Sequence, residues 1–183
     1  SPDYAKIPIE FRNVKFHQAI MLSHNDTLKF DVLLNNQTKT FTVTEKGLVC
    51  VTGYAHMPTD FNLMNPQTIN CETSSDSLKL TSKEVYKELR LRGYDYGKSF
   101  QGVVEAMSDG SKGKVKFLND WVSFADSCFQ IILLGNEKRQ LFLPIFIEYL
   151  RCDPLILFSA IEDAKKELGE PILDVYYDKV AQL

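Results

Sequence analysis

Polar and apolar residues alternate along the first third of the chain. Leu28, Phe30, Val32 and Leu34 recur at every second position, as in a half-buried strand. Thr40 to Thr44 alternates in the same way. Glu45-Lys46-Gly47 then reads as a turn, and Leu48 to Tyr54 as the returning strand of a hairpin. Glu10 to Ile20 mixes apolar and polar positions and predicts another strand. From Pro58 to Ser77 the periodicity stops. Prolines and several Asn, Ser and Thr residues there predict a linker or long surface loop, dividing the chain into residues 1–77 and 78–183.

The second part opens with a helix signal. Thr81-Ser82-Lys83-Glu84 has the form of a capping box, Val85, Tyr86 and Leu89 follow at helical spacing, and Gly93 is the stop. Strands are predicted at Val103 to Met107 and Val115 to Leu118, with a turn at Asp109-Gly110-Ser111 between them. Asn119 to Gly135 predicts a helix, capped by Asn119 or Asp120. Trp121, Val122, Phe124, Ala125, Cys128, Phe129 and Ile131 to Leu134 make it apolar almost all round, so it should be buried on most sides. Leu141 to Leu150, Leu155 to Ile161 and Pro171 to Tyr177 read as strands, with Pro144 at an edge or bulge. The fold class is therefore α+β, a sheet with one strongly buried helix in the second part.

The 183 residues are 44% hydrophobic and 25% charged, ordinary for a globular chain. The net charge of -3 gives no electrostatic reason to expect nucleic acid. Cys50, Cys71, Cys128 and Cys152 form no CxxC pair and read as free thiols of a reducing, cytoplasmic compartment. No apolar run approaches the ~20 residues needed to span a bilayer. Ser1-Pro2-Asp3-Tyr4 does not read as the start of a signal peptide, and without an initial Met the chain is expected to be a fragment of something longer. His17, His24 and His56 have no partner at metal-ligand spacing, so no metal is expected.

Two features could carry chemistry. Asp126 lies inside the predicted buried helix with Gln130 four residues on, on the same face. A buried carboxyl favours its neutral form, which suits a general acid, and an amide can orient it. The competing reading is a narrow wet stripe of Ser123, Asp126, Ser127 and Gln130 along an otherwise apolar helix. The run Arg90 to Gly102 is dense in aromatics and holds Gly93, Gly97 and Gly102, implying positive φ or close backbone approach. It reads either as a site-lining loop or as a tight, well-packed turn. It is neither a P-loop nor a dinucleotide fingerprint.

Glu84 to Gly97 followed by Phe100-Gln101-Gly102 resembles the dehydratase region of animal-type fatty acid synthases, and is similar to the YGxxFQ element of polyketide synthase dehydratases. Asn119 to Gln130 resembles that family's DxxxQ helix, Leu143-Pro144 with Ile147 its LPxxI strand, and Ile7 to Tyr54 the end of its first half-domain. The resemblance implies a double hot-dog fold, with residues 1–77 the remainder of a first hot dog plus linker and 78–183 the second. It implies a 3-hydroxyacyl chain carried on the phosphopantetheine of an acyl carrier protein, no directly bound cofactor, and loss of water to a trans-2-enoyl thioester. Asp126 and Gln130 match the catalytic aspartate and its orienting residue. Tyr96, Gly97, Phe100, Leu143 and Pro144 match substrate-lining positions. Further implied partners are the other domains of the same megasynthase, in a homodimeric parent.

Two departures stand out. The family's catalytic histidine lies in HxxxGxxxxP, and no histidine here fits: Met21, Leu28 and Asp60 stand where that glycine would follow His17, His24 and His56. The resemblance starts downstream of that motif, so the expectation is an incomplete first hot dog and a chain inactive on its own. The alternative is a pseudo-dehydratase, a structural or acyl-binding module. Lys98 also replaces the proline common after Tyr-Gly.

Overall fold

A computed structural model describes residues 6–20, 27–58 and 73–177. Most of the predicted linker, with His24 and Cys71, lies outside these residues. The chain forms two units, residues 1–64 with 142–157, and residues 65–141 with 158–183. Among the described residues no helix is long and apolar enough to cross a membrane.

The first unit is a five-stranded antiparallel sheet. Its strands are β1 (Ile9–Phe16), β2 (Phe30–Asn35), β3 (Thr40–Glu45), β4 (Leu48–His56) and β8 (Phe146–Cys152), in the order β2-β3-β4-β1-β8. The predicted hairpin is β3–β4. Its turn residues Lys46 and Gly47 have φ of 50° and 79°, the paired left-handed geometry that matches strand twist. β1 holds one extra residue between Arg12 and Lys15, which pair with Tyr54 and Thr52 of β4. Asn13 absorbs this bulge at φ 49°, and Val14 is buried beside it. Glu10 is buried on the same strand. Its carboxylate accepts from Arg12 Nε at 2.6 Å and from Tyr149 Oη at 2.9 Å, with His56 Nε2 at 3.3 Å. Burial opposes its ionisation, but the Tyr149 hydroxyl and the Arg12 guanidinium hold the carboxyl below the usual range.

The sequence pattern puts β8 in the second part, whereas it completes the first sheet. β1 is paired with β4 on one side and offers its other row of backbone groups, which β8 fills from Ile9↔Cys152 to Lys15↔Phe146. The strand expected from Leu141 begins only at Phe146, beyond Pro144, which has no N–H to give.

The second unit carries β5 (Lys79–Thr81), α1 (Ser82–Leu91), β6 (Val103–Met107), β7 (Lys112–Lys116), α2 (Trp121–Leu134) and β9 (Ile172–Tyr176), plus most of α3 (Pro154–Leu168). Its sheet order is β5-β6-β7-β9, antiparallel throughout. The capping box forms, the Glu84 carboxylate accepting from the Thr81 amide at 2.8 Å and hydroxyl at 2.7 Å. Val85 and Leu89 of α1, Val103, Ala106 and Val115 of the sheet, and Ile131 and Leu134 of α2 make the core.

Leu155 to Ile161, expected as a strand, is the first half of α3. A short apolar run fits either element, and here the flanks decide. Asp153 Oδ1 accepts from the amides of Leu155 and Ile156 at 3.0 and 3.3 Å, Pro154 takes the first helical position, and Gly169 ends the helix region at φ 77°. β7 also lies three residues earlier than expected, because Lys112-Gly113-Lys114 shows no apolar alternation. A Cβ on Gly113 would meet Ile131 Cδ1 at 2.7 Å, so glycine is what lets the strand pass beneath α2.

The β6–β7 turn is tied down by Asp109. Its carboxylate accepts from the Ser74 and Ser111 amides at 2.8 and 3.0 Å and from the Ser111 hydroxyl at 2.7 Å. Burial opposes ionisation, yet these donors bring the carboxyl from 3.8 down to about 2. The folded protein thus binds fewer protons than the unfolded chain between those values. The turn's contribution is complete above pH ~4 and is lost as pH falls through about 2. Asp109→Asn should therefore lower the melting temperature clearly near pH ~5 and progressively less toward pH ~2. A deficit that stays constant across that range would contradict this assignment.

Candidate active site

The polar stripe of α2 is its inward face. Ser123, Ser127 and Gln130 are buried, Gln130 completely, and Asp126 is half-buried, whereas Val122 and Phe129 are 68% and 43% exposed. The expectation of a helix buried on most sides holds, since only Val122 and Phe129 of its residues are exposed, and the polar stripe is buried with the rest. The reason is what the stripe faces. A 3-10 turn at Lys98–Phe100 offers backbone carbonyls there, and these need donors. The Ser123 hydroxyl donates to Ser99 O, and Gln130 Nε2 donates to Phe100 O at 2.9 Å.

Gln130 is the hub. Its Nε2 also donates to Asp126 Oδ2 at 2.7 Å, and its Oε1 accepts from the Tyr86 hydroxyl at 3.0 Å. Tyr86 comes from α1 and itself accepts from the Val103 amide at 2.9 Å. Burial, with the nearby Asp126 carboxylate adding to it, pushes the Tyr86 phenol up to about 12. The Tyr96 phenol is raised for the same two reasons. Both hydroxyls therefore stay protonated at neutral pH and can serve as donors. Asp126 Oδ1 makes no hydrogen bond to a described residue.

The Arg90 to Gly102 run is a packed turn, and its Phe100 carbonyl accepts from Gln130, the partner of Asp126. The Tyr94 and Tyr96 rings stack at 5.9 Å, the Tyr96 ring meets Tyr86 edge-on at 6.4 Å, and Gln101 Nε2 donates to Tyr96 O at 2.8 Å. Gly93 needs its positive φ of 98°. Gly97 does not, and a Cβ there would meet open space. Phe100 contributes its carbonyl to Gln130 and leaves its ring partly exposed.

Arg92 fixes the far end of α2. This buried side chain donates to Leu133 O at 2.6 Å, Leu134 O at 3.0 Å and Asn136 O at 2.9 Å, carbonyls at and just beyond the end of the helix. Glu88 accepts from Arg92 Nε at 2.9 Å and takes Arg139 with its other oxygen at 2.6 Å. At the near end Asp120 caps the helix through the Ser123 amide at 2.6 Å.

Asp126, Gln130, Tyr96, Gly97 and Phe100 thus share the second unit. Leu143 and Pro144 lie in the first, both exposed, in the extended approach to β8. All three histidines fall in residues 1–64, so none belongs to the unit that holds Asp126. His17 Nε2 lies 2.8 Å from Thr52 Oγ1, and His56 is the Glu10 partner. The sequence reading missed Tyr86 as a site residue, taking it as one apolar helix position. A hydroxyl at a position facing the core was the available signal, since a buried phenol needs a partner. Among the described residues no group of three or more His, Cys, Asp or Glu side chains could hold a metal ion.

No family model matches the chain. Among solved structures it is similar to the dehydratase domain from the CurF module of the curacin polyketide synthase, with 16% identity, a TM-score of 0.65, and coverage of 81% of this chain and 62% of that one. The dehydratase domain from the CurJ module follows at 20% identity and TM-score 0.59, covering 79% of this chain and 57% of that one. The dehydratase domain of RzxB from Pseudomonas fluorescens matches at 10% identity and TM-score 0.55, covering 81% and 60%. The chain spans about three fifths of the length of these domains. At such identities the likeness establishes the fold: α+β, the hot-dog fold of these domains.

Gly102 sets how closely β6 approaches α2. A Cβ there would stand 2.6 Å from Ser127 Oγ, 3.2 Å from Ser127 Cβ and 3.2 Å from Lys116 O. Gly102→Ala should cost about 1–3 kcal/mol in urea unfolding. Adding Ser127→Ala should recover part of that loss, because it removes the nearest atom. Strict additivity of the two changes would mean that the close approach is not the cause.

Proposed function

We propose that this chain supplies the aspartate of a 3-hydroxyacyl thioester dehydratase of the fatty acid synthase kind. Its substrate arrives on the phosphopantetheine arm of an acyl carrier protein. The observation that carries the reading is the asymmetry of the Asp126 carboxyl. Gln130 donates to Oδ2, which leaves Oδ1, the oxygen without a described partner, free to meet a substrate hydroxyl. Oδ1 is the atom that delivers the proton to the departing 3-hydroxyl. The motif resemblance of Glu84 to Gly97 with Phe100-Gln101-Gly102 and the likeness of fold to dehydratase domains support the same reading.

The reaction breaks a C–H bond at the α carbon and the C–O bond at the β carbon. The α proton goes to a base, the C–H electron pair becomes the new double bond, and the hydroxyl leaves as water with the Asp126 proton. Asp126 cannot serve as that base in the same step, because acid and base roles need opposite protonation states. None of His17, His24 and His56 fits the HxxxGxxxxP pattern of the family's base, so in this reading the base is not supplied by this chain and the chain by itself forms no enoyl product. The open space at Gly97, beside Tyr96, leaves room for the acyl chain.

Binding tests this without requiring turnover. Titrated with a 3-hydroxyacyl-pantetheine thioester and its 3-deoxy counterpart, the chain should prefer the hydroxylated ligand. Asp126→Ala should reduce affinity for that ligand by about 10–100-fold and leave the 3-deoxy ligand unaffected. Equal losses for both ligands, or no preference in the unaltered chain, would refute the role of Asp126.

A further inference from the structure

We infer that Tyr86 is a positioning residue for Asp126, acting through Gln130; the functional part of this rests on the dehydratase reading. Tyr86 is a residue of α1, 7% exposed, and it meets the reacting carboxyl only through the amide between them. Its hydroxyl has a fixed direction. One lone pair takes the Val103 N–H at 2.9 Å, so its proton must point elsewhere. Gln130 Oε1 lies at 3.0 Å and Phe100 O at 3.4 Å, with the Ser127 hydroxyl also beside the phenol, and the contact to Gln130 is the shorter of the two.

That single donor decides the state of Gln130. A primary amide has two orientations, exchanged by a half-turn about its last bond. In the observed one, Nε2 faces two acceptors, Asp126 Oδ2 and Phe100 O, and Oε1 faces a donor. The opposite one would set Oε1 against a carboxylate and a carbonyl and leave the Tyr86 hydroxyl against an NH2 group. The chain Val103 N–H, Tyr86 O–H, Gln130 N–H, Asp126 therefore runs donor to acceptor without a break, from the β6 backbone to the carboxyl. Without the phenol oxygen, Gln130 Oε1 becomes a buried acceptor with no donor and the Val103 amide a buried donor with no acceptor. The amide then loosens, and the carboxyl loses the contact that makes its two oxygens unequal. Burial keeps the phenol protonated across the working range, so the donor is always in place.

The test is Tyr86→Phe in the full chain, with two readouts. In nitrogen-edited NMR the Gln130 side-chain amide pair of the unaltered chain should exchange slowly with solvent. In the variant it should exchange at least about tenfold faster, with the backbone spectrum otherwise preserved. In the thioester titration, the preference for the 3-hydroxy over the 3-deoxy ligand should fall about threefold to tenfold, while 3-deoxy affinity stays unchanged. Gln130 signals unaffected by the substitution would overturn the inference. If the unaltered chain shows no 3-hydroxy preference, the dehydratase reading fails, and the amide signals still decide the relay. Should the variant not fold, the unaltered protein decides: the Tyr86 hydroxyl proton must be visible in slow exchange with a cross-peak to Gln130, and its absence refutes the relay.

Discussion

A fully buried primary amide must have its donors and acceptors matched, because each unpaired group in a dry interior costs a few kcal/mol. Gln130 is such an amide, and the second unit is arranged around meeting that demand. α1 sends Tyr86, the 3-10 turn sends the Phe100 carbonyl, and α2 itself sends Asp126. Three elements of quite different sequence position are thereby referred to one side chain. The aspartate gains a defined orientation as a consequence of packing that is needed in any case.

The same demand explains which parts of this unit were legible in sequence. Thr81 with Glu84, Val103 to Met107 and the limits of α2 were legible because local signals and local structure agree there. The inward face of α2 was not. The sequence left open whether Ser123, Asp126, Ser127 and Gln130 form a wet stripe or a buried face around the carboxyl. A polar stripe is buried when it faces backbone, and nothing in the α2 sequence reveals that its neighbour is a turn with open carbonyls. The pairing of Asp126 with Gln130 was still readable, since i,i+4 spacing puts two residues together whichever way the face turns.

In the first unit the β3–β4 hairpin was legible from Lys46-Gly47, but the partner of β1 was not. β8 lies more than a hundred residues further on, and pairing over that separation leaves no local mark. α3 was the opposite case. Asp153-Pro154 and Gly169 are strong start and stop signals, and the apolar run between them was given more weight than it should have had. Glu10 repeats the Gln130 principle in another form: a buried carboxylate is tolerated where an arginine, a tyrosine hydroxyl and a histidine converge on it.

The most direct measurement of the central claim is native-state hydrogen exchange at the Val103 amide. This N–H opens β6, and its acceptor is a tyrosine hydroxyl rather than a strand carbonyl. If the Tyr86–Gln130–Asp126 chain is a permanent part of the fold, Val103 should exchange as slowly as the buried amide of Val115, through unfolding of the whole unit. Exchange of Val103 several orders of magnitude faster than Val115, by local opening, would show that the hydroxyl does not hold it and that the amide beside Asp126 is not fixed from below.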